Sequence, residues 1–157
     1  MKVEAHGLRA DTPPGWEVRI TRHLPREPED VSKPVLHAAT FPLPEGRGDF
    51  GSRAVEVMGP NDVFISLLEY GDEAVNSALF SPGTLPSRID PDRFGTNRLQ
   101  RWIPNQAGYQ DFFTENGRAF CLYIVIGSYG NREELARRAS HMLAATKIES
   151  AFPPGIQ

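Results

Sequence analysis

The single cysteine of the chain, Cys121, is the first side chain to consider for chemistry. A cysteine attacks as its thiolate, so a reactive one needs positive charge close by and some exposure to solvent. Cys121 instead lies among Phe120, Leu122 and Tyr123, with no basic residue beside it. We therefore expect this thiol to pack in the core. A lone cysteine also closes no intramolecular disulfide, which favours a reducing compartment.

Three of the four histidines, His6, His23 and His37, fall on or directly after the first three predicted strands. Side chains on neighbouring strands can meet on one face of a sheet, and the sequence leaves open whether these do. None has a partner at the i+2 or i+4 spacing of a local metal-ligand pair, and no cysteine cluster accompanies them. We predict neither a metal site nor a cofactor.

Acidic residues gather at Glu69, Asp72 and Glu73, where the strand expected at the centre of the sheet ends. Paired carboxylates can serve as general acid and base, but acids at strand ends are usually solvated, and we expect these three to be solvated.

The glycines from Gly46 to Gly51 have the spacing G-x-G-x-x-G. A dinucleotide site also needs a strand directly before this motif and a full helix after it, and the sequence provides neither. Hydrolase, phosphate-loop and zinc-protease motifs are missing from the sequence. We assign no catalytic residue, and the sequence favours a protein that is not an enzyme without deciding it.

The best candidates for binding lie between positions 98 and 109. Arg98, Arg101, Trp102 and Tyr109 are of residue types that carry much of the binding energy at protein interfaces. A long connection, residues 81–97, precedes them. We predict that this connection and the segment after it form the surface for a partner or ligand, the alternative being that Trp102 covers the core.

Short elements joined by turns must position these residues, because fourteen glycines and fourteen prolines interrupt the apolar stretches. A proline-rich surface loop is expected at 24–34, and Asp90 is expected to cap a single helical turn that begins at Pro91. Strands are predicted at 3–9, 16–22, 35–41, 63–70, 109–115 and 118–127, short helices at 52–58 and 73–80, and a longer helix from 131 to about 146.

The clearest local signal is the dipeptide Asn116-Gly117, which supplies the two positive φ angles of a type I′ hairpin turn. A two-residue turn fixes the register of the strands that it joins. The strand after the turn is apolar on both faces, so both faces need a cover. The predicted cross-strand pairs are Glu115 with Arg118, Phe113 with Phe120, and Phe112 with Cys121.

The last helix is expected to cover one of those faces. Leu135, Ala139, Met142 and Leu143 recur at helical spacing and form one apolar stripe. Asn131 and Glu134 have the spacing of a capping pair at its N-terminus. The predicted fold class is therefore α+β, a twisted antiparallel β-sheet with helices on both faces.

Composition bounds the class of protein. A chain of 157 residues, 39% hydrophobic and 24% charged, builds a core without metals or disulfides, and we expect a single domain over 1–157. The net charge of −3 lacks the positive field of nucleic-acid binders. No apolar run is long enough to span a bilayer, and the first residues lack the apolar core of a signal peptide. We expect a cytoplasmic protein with neither nucleic-acid nor membrane partners.

Short motifs at the two ends carry a family resemblance: Pro14-Gly15-Trp16, Asn116-Gly117-Arg118, and Ile148 and Phe152 after the last helix. In these motifs and in element order the chain resembles the PsbP-like superfamily, including DcrB-like proteins and chaperones associated with type VI secretion effectors. The resemblance implies an α/β/α sandwich and a role in binding or assembly. It implies no shared catalytic chemistry and carries over no functional residue.

Together these observations predict a non-enzymatic binding, adaptor or chaperone-like module with a protein partner. Two alternatives stay open. An exposed apolar patch or open edge strand would favour a structural subunit of a larger assembly. A deep polar pocket holding Cys121 or several histidines would favour an enzyme that acts on small molecules.

Overall fold

Two antiparallel sheets and one α-helix form the α+β fold in the computed structural model, which describes residues 1–22 and 33–150. His23 and Phe152 lie outside the described residues, and so does most of the loop predicted at 24–34. The elements in chain order are β1 (Lys2–Ala5), β2 (Leu8–Asp11), β3 (Glu17–Arg22), β4 (Pro34–Ala39), β5 (Val63–Glu69), β6 (Ala107–Glu115), β7 (Arg118–Ile126), α1 (Arg132–Ala144) and β8 (Thr146–Ile148).

The larger sheet has five strands in the order β3-β4-β5-β7-β6. Every residue of β5 and β7 is buried, as expected for central strands that are apolar on both faces. The prediction that the strand near 63–70 is central is confirmed. The hairpin is confirmed with its register, including Phe113 opposite Phe120 and Phe112 opposite Cys121, and Asn116 and Gly117 adopt φ angles of 54° and 75°.

The smaller sheet has the order β1-β2-β8. The single strand predicted at 3–9 is wrong, because His6 and Gly7 both adopt positive φ and fold that stretch into a hairpin. Histidine visits this backbone region more readily than most residues, but His-Gly is a weaker turn signal than Asn-Gly. The pairing of β2 with β8, from Leu8 opposite Ile148, joins the two ends of the described chain.

Helix α1 covers one face of the larger sheet. Its buried residues are those of the predicted stripe, together with Ala136. They pack with the β7 side chains Phe120, Leu122, Ile124 and Ile126 in the main hydrophobic cluster. The helix prediction is confirmed, but the predicted capping pair is wrong in one respect: Asn131 occupies the N-cap position and its side chain makes no capping hydrogen bond.

The opposite face of the larger sheet is covered by loops, so the prediction of helices on both faces is wrong. A second cluster there joins Ala39, Phe64, Tyr123 and Val125 to side chains from residues 41–58 and 99–103. We call residues 42–58 the covering loop and residues 98–103 the Trp102 segment.

The two short helices expected from the sequence shrink to single 3-10 turns, Val55–Val57 and Asp72–Ala74. Positive φ angles at Arg53 and Asn76 interrupt both stretches. So few residues cannot offset the cost of starting an α-helix. The single turn at Pro91–Arg93 is confirmed, with the Asp90 carboxylate accepting a hydrogen bond from the Asp92 N–H.

Within the described part of the chain, no helix has the length and apolar character needed to cross a membrane.

Candidate functional site

Trp102 is a strongly exposed residue, with 68% of its surface accessible to solvent. Its neighbour Arg101 forms an ion pair with Glu56 of the covering loop, at 2.6 Å. Arg98 donates a hydrogen bond to the Arg93 carbonyl at 3.2 Å. The structure therefore places Arg98, Arg101 and Trp102 on one surface segment that is tied to two neighbouring parts of the chain.

The Trp102 segment is also held from below. Leu99 and Ile103 pack against the second hydrophobic cluster. Between them, the Gln100 N–H donates to the hydroxyl of Tyr123 on β7, at 2.8 Å. Because the residues on both sides of Trp102 are fixed, its indole is presented on a constrained backbone.

Tyr109 is separated from that surface, since only 1% of it is exposed and it belongs to the cluster beneath α1. Its hydroxyl accepts from Arg93 at 3.2 Å and lies 3.4 Å from the Asp111 carboxylate. Burial, together with Asp111, raises the pKa of Tyr109 to about 12. Of the four predicted binding residues, Tyr109 is the one that the structure does not bring to the exposed segment.

A cleft of about 250 Å³ lies between the covering loop and the Trp102 segment, above β7. Its walls are mainly apolar, and Phe50 meets the Tyr123 ring edge-on with 5.6 Å between ring centroids. Sequence reasoning missed this cleft, because its walls come from three distant stretches of chain. The lining includes Phe50, Val55, Leu99, Tyr123 and Val125.

Gln106 is the most unusual polar residue of the cleft lining. The turn before β6 places it there, with Asn105 at a φ of 72° and the Gln106 N–H bonded to the Ile103 carbonyl. Its side-chain Nε2 donates to the Val55 carbonyl at 2.8 Å. Its Oε1 is buried and has no hydrogen-bond partner among the described residues. An unpaired buried acceptor is costly, which marks this position as a candidate for ligand contact.

A buried histidine network fastens the covering loop to the sheet. The His37 ring lies 2.9 Å from the Asp49 carbonyl through Nε2, and it accepts from Arg47 Nε through Nδ1 at 2.7 Å. Ser66 donates to the same carbonyl at 2.6 Å. Burial, with Arg47 nearby, lowers the pKa of His37 to about 4. The ring is therefore neutral at pH 7, and its Nε2–H donates to Asp49.

Sequence reasoning missed this network, although one signal was available. His37 stands alone as a polar residue in the apolar stretch Val35–Ala39. A polar side chain in such a strand must find buried hydrogen-bond partners, which predicts polar groups on whatever covers that strand.

Glu69 and Arg118 form a buried ion pair at 2.7 Å, and each side chain is about 7% exposed or less. The expectation that Glu69 is solvated at a strand end is wrong. Arg118 also donates to the carbonyls of His6, Gly7 and Glu149. The buried acid is thus paired with the arginine that joins the two sheets. Of the other two acids in that cluster, Asp72 is exposed and pairs with Lys33 at 3.0 Å.

Cys121 is fully buried, as predicted. Burial raises the pKa of its thiol to about 11, and the side-chain Nε2 of Gln110 donates to its Sγ at 3.5 Å. A buried thiol with a raised pKa forms little thiolate at neutral pH.

Of the three histidines assigned to the first predicted strands, the two whose positions are described lie apart in the fold. His6 is exposed in the β1–β2 turn, whereas His37 is buried in β4 of the larger sheet. In residues 1–22 and 33–150, no group of three or more His, Cys, Asp or Glu side chains is arranged to hold a metal ion.

The geometry thus offers two features with binding potential, the exposed Trp102 segment and the cleft beneath it. Comparison of the chain with family models, curated proteins and solved structures finds no match.

Proposed function

We propose that the protein is a non-enzymatic binding module whose Trp102 segment docks onto a protein partner. The observation that carries this proposal is the exposure of 68% of Trp102 on a backbone held from several sides. Tryptophan and arginine are among the residues most enriched in binding hot spots. A preorganised segment also loses less conformational entropy when it binds.

The setting of Trp102 supports docking by side chains. Arg101, on the same segment, keeps two-thirds of its side chain exposed while paired to Glu56, and Val57, next to Glu56, is also exposed. An exposed aromatic residue bordered by a charged pair resembles a hot spot with a polar rim. The partner surface would need an apolar pocket for the indole with polar groups around it.

The β6 edge of the larger sheet is less suited to adding a strand from another chain. Thr114 exchanges hydrogen bonds with Ser81 and Gly83, and Gly108 exchanges two with Gly95. The connection before β6 therefore occupies much of that edge, and short contacts of this kind protect edge strands from pairing with other chains. This favours an adaptor over a subunit that assembles through this edge.

The test compares partners captured by the full chain and by Trp102→Ala from a lysate of the source organism, by quantitative mass spectrometry. The matched control is Leu79→Ala, since Leu79 is another large exposed apolar residue, 59% accessible, outside the segment. We expect a stoichiometric partner that wild type and Leu79→Ala retain and that Trp102→Ala loses by at least tenfold. Thermal unfolding should show both variants folded.

The proposed function would be contradicted if all three proteins captured the same partner in equal amounts. It would also fail if the wild-type chain captured no stoichiometric partner. A second variant, Arg101→Ala, checks the polar rim: we expect a smaller loss than for Trp102→Ala, because exposed ion pairs contribute little.

A further inference from the structure

The cleft beneath the Trp102 segment has properties of a small-molecule site that a protein-docking role does not require. Its volume of about 250 Å³ exceeds the roughly 150 Å³ of an apolar cavity that holds benzene. Phe50 and Tyr123 supply aromatic surface, and Leu99 and Val125 supply aliphatic surface. A flat aromatic ring is therefore suited to the size and lining of the cleft.

Hydrogen-bonding groups in the lining limit which aromatic molecule fits. The Gln106 amide is oriented by its bond to the Val55 carbonyl, so that Oε1 is the group left without a partner in the described structure. A single water would gain little there, because a buried water needs two to four polar partners and the walls are mainly apolar. Oε1 itself is closed to solvent, so a ligand that carries its own N–H or O–H donor satisfies it after a small rotation of the Gln106 amide, and the rest of the ligand fills the apolar space.

Charge selects further. Asp49 and Arg101 both line the cleft and carry opposite charges, and Arg101 is already paired with Glu56. Because the two charged residues of the lining are of opposite sign, the cleft favours neither a cation nor an anion, and burial of a charged ligand would carry a desolvation cost. A neutral ligand avoids that cost.

We propose that the cleft binds a small neutral aromatic molecule bearing one hydrogen-bond donor, with its ring among Phe50, Leu99 and Val125 and its donor on Gln106 Oε1. This inference does not depend on the proposed docking function, because Trp102 does not line the cleft.

The test uses two probes of nearly equal shape, indole and benzofuran, with the full chain and ligand-observed NMR titration. Indole carries an N–H donor where benzofuran carries an oxygen. We expect saturable binding of indole, and binding of benzofuran weaker by about tenfold, the effect of one hydrogen bond to a buried acceptor. Failure of indole to bind saturably, or equal binding of the two probes, would overturn the proposal.

Variants then locate the donor contact. Gln106→Leu should bind indole and benzofuran equally. The matched control is Gln110→Leu, a glutamine of β6 whose side chain does not line the cleft, and it should keep the wild-type preference. A preference for indole that survived Gln106→Leu would refute the assigned contact, and the probe comparison on wild type decides the matter even if that variant fails to fold.

Trp102→Ala separates the two proposals. It should lose the protein partner and keep the preference for indole. Loss of that preference in Trp102→Ala would contradict the assignment of the ligand to the cleft. The docking proposal would still be decided by the capture experiment.

Discussion

At the scale of single residues, polar groups inside the fold serve to hold elements in place. His37 is 3% exposed and neutral, with its two ring nitrogens engaged by Asp49 and Arg47. A histidine that is neutral when folded but protonates readily when unfolded makes stability depend on pH. Protonating His37 in the folded protein is unfavourable, because it would place a buried cation beside the Arg47 guanidinium.

The direction of that dependence follows from the two pKa values. Burial lowers the pKa of His37 from 6.5 to about 4, so between these pH values the unfolded chain binds more protons than the folded one. The free energy of unfolding therefore rises with pH across this window and is unaffected by this residue above it. The difference corresponds to about 3 kcal/mol, gained between about pH 4 and pH 6.5.

Urea unfolding from pH 4.5 to 7.5 measures this effect for wild type, His37→Gln and His141→Gln. The wild type should lose stability as the pH falls below 6.5. His141→Gln is the control and should show the same loss, because His141 is exposed. His37→Gln should be nearly flat in this range. The Leu43 N–H donates to the Glu17 carboxylate and lowers its pKa, so Glu17 adds a loss of stability at the acidic end of this range that all three proteins share. An equally steep decline in His37→Gln would contradict the assignment.

At the scale of elements, the covering loop depends on backbone conformations that only glycine adopts without strain. Gly51 has a φ of 86°, and a Cβ placed there would lie 2.5 Å from the Phe64 ring. Gly15 has nearly the same φ, 85°, but nothing within 4 Å of such a Cβ. An alanine at either position would therefore have the same backbone strain, and only an alanine at position 51 would also overlap with Phe64.

Alanine substitutions separate those two costs. Gly15→Ala should destabilise the protein by about 1–2 kcal/mol, the cost of placing a side chain at positive φ. Gly51→Ala should cost about 1–3 kcal/mol more, because Phe64 is buried in the second cluster and must shift. Chemical denaturation of the two variants measures the difference. Equal losses would show that the loop moves freely away from Phe64.

How well an element was predicted depended on whether its signal was local. The β6–β7 hairpin and α1 are encoded by a turn dipeptide and an apolar stripe, and both formed where expected. The β1–β2 hairpin was not predicted, and the second sheet face was predicted to be covered by helices where loops cover it. The positive φ angles of His6 and of Arg53 are not signalled by any local pattern in the sequence.

The candidate site was predicted only in part for the same reason. Trp102 and Arg101 could be singled out by residue type, and their exposure is now seen. Gln106 and Phe50 could not, because the cleft exists only when the covering loop and the Trp102 segment meet above β7.

At the scale of the whole molecule, the two sheets are joined at one end by Arg118. This residue follows the β6–β7 turn in the larger sheet, pairs with Glu69 of β5, and donates to the His6 and Gly7 carbonyls in the turn of the smaller sheet. The preceding turn residue, Asn116, adds a hydrogen bond from its side chain to the Ile148 carbonyl of β8. The motif Asn116-Gly117-Arg118 thus has a structural role, as the junction between the sheets.

The substitution Arg118→Met should destabilise the whole fold, because it leaves the Glu69 carboxylate buried without its partner. It also removes the guanidinium that donates hydrogen bonds to three backbone carbonyls. The expected loss is about 3–5 kcal/mol, as for other broken buried pairs. Arg101→Met is the matched control, since it removes an exposed ion pair and should cost less than about 1 kcal/mol. The double variant Arg118→Met, Glu69→Leu should recover part of the loss, because no buried charge is then left unpaired. Urea unfolding of the four proteins checks the order, and a loss in Arg118→Met no larger than in Arg101→Met would show that the sheets are held together mainly by their apolar contacts.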